Sequence, residues 1–178
     1  VMPDLPYSAF PSLPQFLYCP LLRAGASSAK ILAFLVYCAT GISVYMLCRL
    51  RASRKVSAAI TFAFMIAPTL CFMGQEAYAE PFIAFNLLAA LLFMKGLKRK
   101  CSESLKAYAV CGILAGGCAA VKLTGVFASA AIALLTLWRG KKHSTLIKPL
   151  LIFGLFAALF IAPFYARPWL ATGNPFYP

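Results

Sequence analysis

The chain has 178 residues, of which 62% are hydrophobic and only 12% are charged, and its mean hydropathy is +0.84. This composition excludes an ordinary soluble domain, because such domains are about 45–50% apolar and about 25% charged. The net charge of +13 does not indicate a nucleic-acid partner, since the basic residues form short clusters between apolar runs, as in cytoplasmic loops of membrane proteins.

The predicted elements begin with a proline-rich segment at 1–28, which predicts an outer-face loop. Within it, residues 15–22 predict a short helix lying on the membrane surface. A membrane span needs about 20 apolar residues. Four runs of about this kind follow in chain order, at 29–48, 56–74, 81–94 and 146–165. A second outer-face loop is expected at 166–178.

The apolar region 107–138 is too long for one upright span and short for two, and charge decides between them. A single helix would place Lys122 near its centre, at a cost of roughly 2.5–3.5 kcal/mol. Two short helices meeting near Lys122 instead bring three basic clusters to one side, as is typical of cytoplasmic loops. That side then holds 13 of the 17 basic residues: Arg49, Arg51, Arg54, Lys55, Lys95, Lys98, Arg99, Lys100, Lys106, Arg139, Lys141, Lys142 and Lys148.

The sequence therefore predicts an all-α membrane protein, a bundle of about six transmembrane helices over 29–165 with short outer-face loops. Such a chain crosses an inner or plasma membrane several times. Its outer loops face the periplasm or the cell exterior, and they hold three of the four acidic residues: Asp4, Glu76 and Glu80.

Glu80 is the leading candidate for chemistry. It precedes Pro81, and proline suits the first turn of a helix, where an acid also favours the positive end of the helix dipole. Two interpretations stay open: a helix cap, or a carboxylate facing an outer cavity as a base, a metal ligand or a substrate anchor. Glu76 shares the same face if the helix extends back. Asp4 is expected to be a solvated loop residue.

Lys122 and Arg167 are the candidate cations of the outer face. Each either extends its charge to the membrane interface or binds a phosphate there. Trp169 has a simpler explanation as an aromatic residue of the interfacial belt. Three glycines of the fourth span, Gly112, Gly116 and Gly117, predict close helix packing rather than a phosphate cradle.

Four segments together resemble a known family. They are 7–18 before the first span, 77–81 at the third, 120–125 between the two short helices, and the closing run R-x-W-x-x-T-G-N-P-x-Y-P at 167–178. Their order and sidedness resemble the polytopic GT-C glycosyltransferases of bacteria, in the branch similar to protein O-mannosyltransferases and lipid A aminoarabinose transferases. The closing run is the most specific piece.

The resemblance implies an inverting transferase that moves a sugar from a polyprenyl-phosphate donor to a glycan, lipid or protein acceptor at the outer face. Glu80 matches a second family acid, which is usually Asp, while Lys122 and Arg167 match cations that contact the lipid-linked phosphate. The main catalytic Asp of the family's first outer loop has no match, so it is expected upstream, and this segment alone is expected to be inactive. A divalent metal is compatible with the superfamily, although no ligand set here requires one.

Two other functions remain open. A transporter or flippase for a lipid-linked sugar also uses broken helices and intramembrane charges, but it predicts inverted repeats, which this sequence does not show. A structural membrane subunit predicts that Glu80, Lys122 and Arg167 tolerate neutral replacement.

Overall fold

A computed structural model describes residues 13–76, 78–96, 105–140 and 147–174. Asp4, Glu103 with most of its loop at 97–104, the basic loop at 141–146 and the last four residues of the closing run lie outside the described residues. Within the described ranges the regular structure is helical and forms eight helices. They are α1 Leu13–Leu22, α2 Ala26–Arg49, α3 Arg54–Met65, α4 Pro68–Gln75, α5 Glu80–Gly96, α6 Leu105–Val121, α7 Gly125–Gly140 and α8 Ile147–Thr172.

The helix α6 lies at the centre of the bundle, between α5, α7 and α8. Its glycines allow this placement, as the sequence predicts. A Cβ on Gly112 would collide with the backbone carbonyl of Phe153 in α8, and one on Gly116 would lie 2.8 Å from the Ala157 carbonyl. On the other side, a Cβ on Gly117 would lie 2.8 Å from the side chain of Asn86 in α5. The backbones of α6 and α8 therefore approach closely, while Gly117 leaves room for the Asn86 side chain of α5.

The prediction of two short helices in 107–138 is confirmed. The helix α6 ends at Val121, and α7 begins at Gly125 after a tight turn in which the Gly125 N–H donates to the Lys122 carbonyl at 2.8 Å. The two helices run antiparallel, since the Ser129 hydroxyl donates to the Ala115 carbonyl. Lys122 lies in the turn and not inside a helix, which removes the cost of a central charge.

The single span predicted at 56–74 is wrong in detail. The structure has two helices there, α3 and α4, whose axes differ by 69°. Pro68 explains the break, because it is the first residue of α4, lacks the N–H needed to continue the α3 hydrogen bonds and disfavours helical backbone at Ala67. The Tyr37 hydroxyl of α2 donates to the carbonyl of Met65, at the end of α3.

The last helix is longer than the predicted span of 146–165. It continues through Arg167 and Pro168 to Thr172, so most of the expected loop 166–172 is helical. Gly173 then ends it with a left-handed φ of 74°, and its N–H donates to the Trp169 carbonyl at 2.8 Å. A glycine in this conformation is a common helix terminator.

By length and composition, α2 and α8 can each cross a membrane, and the bent pair α3–α4 makes a third candidate if it counts as one span. Only 6% of the most apolar 18-residue stretch of α8 is buried against the rest of the chain. The side chains of Leu151, Leu155 and Leu159 are exposed on this helix. Such a helix needs an apolar surrounding. These helices associate the protein with a membrane.

Candidate functional site

Most of the predicted site residues meet at one end of the helices, which we call the site end. It comprises the start of α2, the end of α4, the start of α5, the α6–α7 turn and the end of α8. Three contacts define it: Lys30 with Glu76, Glu80 with Lys122, and the Tyr165 hydroxyl with the Ala119 carbonyl at 3.2 Å. The described ends of the basic loops lie at the opposite ends of these same helices, which agrees with the predicted sidedness.

Glu80 and Lys122 form an ion pair at the site end. The ammonium nitrogen of Lys122 lies 2.9 Å from Oε1 of Glu80, across 42 positions of sequence. Glu80 is the first residue of α5, and Pro81 follows it in the first turn, so the carboxylate lies at the positive end of the helix dipole. Both side chains keep partial solvent access, with exposed fractions of 36% for Glu80 and 50% for Lys122.

The ion pair keeps Glu80 ionised. Partial burial acts to raise the pKa of Glu80, but the hydrogen bond and charge of Lys122, together with backbone N–H groups at Glu80 and Ala79, outweigh burial and hold the pKa below its ordinary value. At neutral pH the group is therefore a carboxylate that accepts hydrogen bonds. A low pKa makes it a weak base, so it is better suited to anchoring a hydroxyl group than to removing its proton.

Glu76 has a different partner, which sequence reasoning missed. Lys30, near the start of α2, places its nitrogen 2.9 Å from both carboxylate oxygens of Glu76. Glu76 has extended backbone just after α4, so it does not share a continuous helical face with Glu80. The sequence held one signal for this pair, since Lys30 is a cation at the outer end of the first predicted span.

A side chain of α1 also contacts the segment around Glu80. The Tyr18 hydroxyl donates to the Tyr78 carbonyl at 3.2 Å, and the Tyr18 ring packs edge-on against Phe82 of α5 at 5.9 Å between centroids. Burial raises the pKa of Tyr18 to about 12, so the phenol keeps its proton at physiological pH. Three elements, α1, α2 and the α6–α7 turn, therefore fix the residues around Glu80.

Arg167 lies at the site end but away from the two ion pairs. It is exposed on α8, beside an open groove formed by Pro163, Leu170 and Ala171 of the same helix. No hydrogen bond or ion pair joins Arg167 to another residue of the described ranges. Its guanidinium is free to bind an anion.

A cavity of about 100 Å³ adjoins Glu80. Its walls come from α2, the bent pair α3–α4 and α5, and Leu70 and Met73 are the lining residues of α4. Tyr37 and Thr40 also line it, and their hydroxyl groups donate to the backbone carbonyls of Met65 and Val36. The cavity is therefore apolar except where Glu80 reaches it.

The side chains of this site do not form a metal-binding cluster. Within the described residues no group of three or more His, Cys, Asp or Glu side chains is placed to hold a metal ion. Glu76 and Glu80 are each neutralised by a lysine instead. This donor set does not fit a resident divalent metal.

The fold and the site end define a helical protein that has helices long and apolar enough to cross a membrane and paired charges at one end. The chain belongs to the family described as Domain of unknown function (DUF8201), whose model matches residues 19–178. No curated protein and no solved structure matches the chain. The family description assigns no activity.

Proposed function

We propose that this chain belongs to a membrane glycosyltransferase that moves a sugar from a polyprenyl-phosphate donor to a hydroxyl-bearing glycan, lipid or protein acceptor. The observation that carries the proposal is the meeting of Glu80 and Lys122 at the site end, where Arg167 also lies. A carboxylate and two cations at one end of a helical bundle supply the charges that a sugar phosphate and an attacking hydroxyl group need.

The proposed membrane arrangement has six spans, with the site end facing the periplasm or the cell exterior. In this arrangement α2, the α3–α4 pair, α5, α6, α7 and α8 each cross the membrane. The basic loops at the opposite ends of these helices support it, because cytoplasmic loops carry the excess of Lys and Arg. The helices α6 and α7, with 17 and 16 residues, are near the lower limit for a span.

In the proposed reaction, a carboxylate base takes the proton of the acceptor hydroxyl, and the oxygen attacks the anomeric carbon. The bond between that carbon and the phosphate oxygen breaks with inversion, and its electron pair leaves with the polyprenyl phosphate. Lys122 and Arg167 stabilise this departing charge. Glu80, ionised beside Lys122, anchors the acceptor hydroxyl, while the base is expected elsewhere in the intact protein.

The test uses the intact protein in membrane vesicles, supplied with radiolabelled polyprenyl-phosphate sugars. Glu80→Gln keeps the shape of the side chain but removes its charge. Because a hydrogen bond to a charged group contributes about 1.5–3 kcal/mol, we expect sugar transfer to fall roughly 10- to 100-fold. Glu103→Gln is the matched control, because it makes the same chemical change in a predicted cytoplasmic loop. Normal transfer by Glu80→Gln at normal expression overturns the proposal.

A transporter or flippase for a lipid-linked sugar is the second candidate, and the 69° break between α3 and α4 favours it. Broken helices near a binding site are common in transporters. The same vesicles separate the two functions. A transferase releases polyprenyl phosphate and labels an acceptor, whereas a flippase moves the label between leaflets with the sugar–phosphate bond intact.

A further inference from the structure

The short helix α4 forms one wall of the cavity beside Glu80. Leu70 and Met73 reach into the cavity from α4, and Phe72 on the opposite face of the helix is 55% exposed. Any movement of α4 away from α2 therefore opens the space next to the carboxylate. What holds α4 in place decides whether that space is accessible.

The connection between α4 and α3 is weak. The chain bends by 69° at this junction, and Pro68 has no N–H to donate to the carbonyl of Phe64. The hydrogen-bond ladder of α3 therefore does not continue into α4. A helix of eight residues joined in this way can rotate as a unit about its first residue.

Two contacts hold α4 against α2. Gly74 lies directly on the ring of Tyr37, so close that a Cβ there would be 2.7 Å from the nearest ring carbon. At the far end of α4, Lys30 pairs with both carboxylate oxygens of Glu76. This pair is about half exposed, with exposed fractions of 53% and 42%, and exposed pairs hold their partners only loosely.

We propose that α4 is a gate that opens the cavity beside Glu80 to an apolar chain from the surrounding membrane, and that the Lys30–Glu76 ion pair is its latch. The occupant is apolar because the lining hydroxyls of Tyr37 and Thr40 already bond backbone carbonyls. The cavity of about 100 Å³ is smaller than the roughly 150 Å³ that holds one benzene molecule, so room for an apolar chain requires α4 to move. The gate does not depend on the proposed sugar transfer.

The test measures the position of α4 by electron-spin distance measurements on the full chain in lipid nanodiscs, with its native cysteines replaced. One label pair joins α4 to α7 through Gln75→Cys and Phe127→Cys, both at exposed positions. The reference pair joins α2 to α7 through Leu35→Cys and Phe127→Cys. An eight-residue helix is about 12 Å long, so a rotation of about 20° moves its far end by about 4 Å.

Glu76→Gln and Lys30→Gln each remove the latch, and we expect both to shift or broaden the Gln75–Phe127 distance by about 4 Å while the reference distance stays fixed. The charge swap Lys30→Glu with Glu76→Lys should restore the original distance. Gly74→Ala should open the gate without altering any charge, because its Cβ meets the Tyr37 ring. An unchanged Gln75–Phe127 distance in the latch variants, or equal shifts in both label pairs, overturns the proposal.

Discussion

The two halves of this molecule hold their helices together by different means. In the half formed by α5 to α8, α6 lies buried among its neighbours, and Ala115 and Cys118 of α6 and Ile132 of α7 are almost fully enclosed. In the half formed by α2 to α4, a proline breaks one helix and a cavity remains beside the break. Two buried hydroxyls of α3, on Ser57 and Thr61, have no hydrogen-bond partner among the described residues. Small residues make the first half tight, while the second keeps room to move.

The largest loss of stability is expected where α6 and α8 approach each other most closely. Gly112→Leu and Gly116→Leu force side chains into the backbone of α8, and a backbone cannot rotate away as a side chain can. We expect each to lower the free energy of unfolding by about 3 kcal/mol or to prevent folding. Denaturation in detergent micelles measures the loss.

Gly154→Leu provides the matched control for these two variants. A Cβ at Gly154 of α8 meets nothing within 4 Å, so the leucine extends outward. The free energy of unfolding should change by no more than about 0.5 kcal/mol. If Gly154→Leu is as damaging as Gly112→Leu, close packing is not what makes the first half tight.

An intermediate effect is expected in the looser half from Tyr37→Phe. This change removes the hydroxyl group that donates a hydrogen bond to the Met65 carbonyl. That carbonyl lies at the end of α3, next to the break between α3 and α4. This carbonyl is partly buried, so we expect a loss of about 1–2 kcal/mol, in the lower part of the range for an unsatisfied buried group. Tyr45→Phe removes a hydroxyl from the same helix without touching the break, and thermal unfolding of both variants should show a loss only at Tyr37.

The smallest effect concerns the pH dependence of the Glu80–Lys122 pair. Because the pKa of Glu80 is lower in the folded protein than in the unfolded chain, the pair stabilises the fold above the unfolded pKa. This stabilisation is lost as pH falls through the folded pKa. The pair is exposed, so the change should stay within about 1 kcal/mol.

Glu80→Gln and Lys122→Gln should both flatten this part of the profile when thermal midpoints are compared between neutral and acidic pH. Glu103→Gln should leave it as it is. If Glu80→Gln leaves the pH dependence of the thermal midpoint unchanged, the Glu80–Lys122 ion pair does not stabilise the half formed by α5 to α8.

Hydrophobic runs and charge placement were sufficient to predict most of the helices, because the cost of burying a charge in an apolar surrounding is local and can be read from sequence. They located α2 and α5 within a few residues and the turn at Lys122 between α6 and α7. They also selected Glu80 and Lys122 as residues of one end of the bundle.

Tertiary structure alone decided which charges meet. The sequence contains no pairing rule that joins Lys30 to Glu76 across 46 positions and Lys122 to Glu80 across 42. These pairs follow from how the helices pack, which depends on the close approach at Gly112 and on the Tyr37 hydroxyl at the end of α3. The sequence determined a helical membrane-associated chain with Glu76 and Glu80 at the end opposite the basic clusters, because hydropathy and charge act residue by residue. The ion pairs and the cavity depend on contacts between distant residues, and only the folded chain brings those residues together.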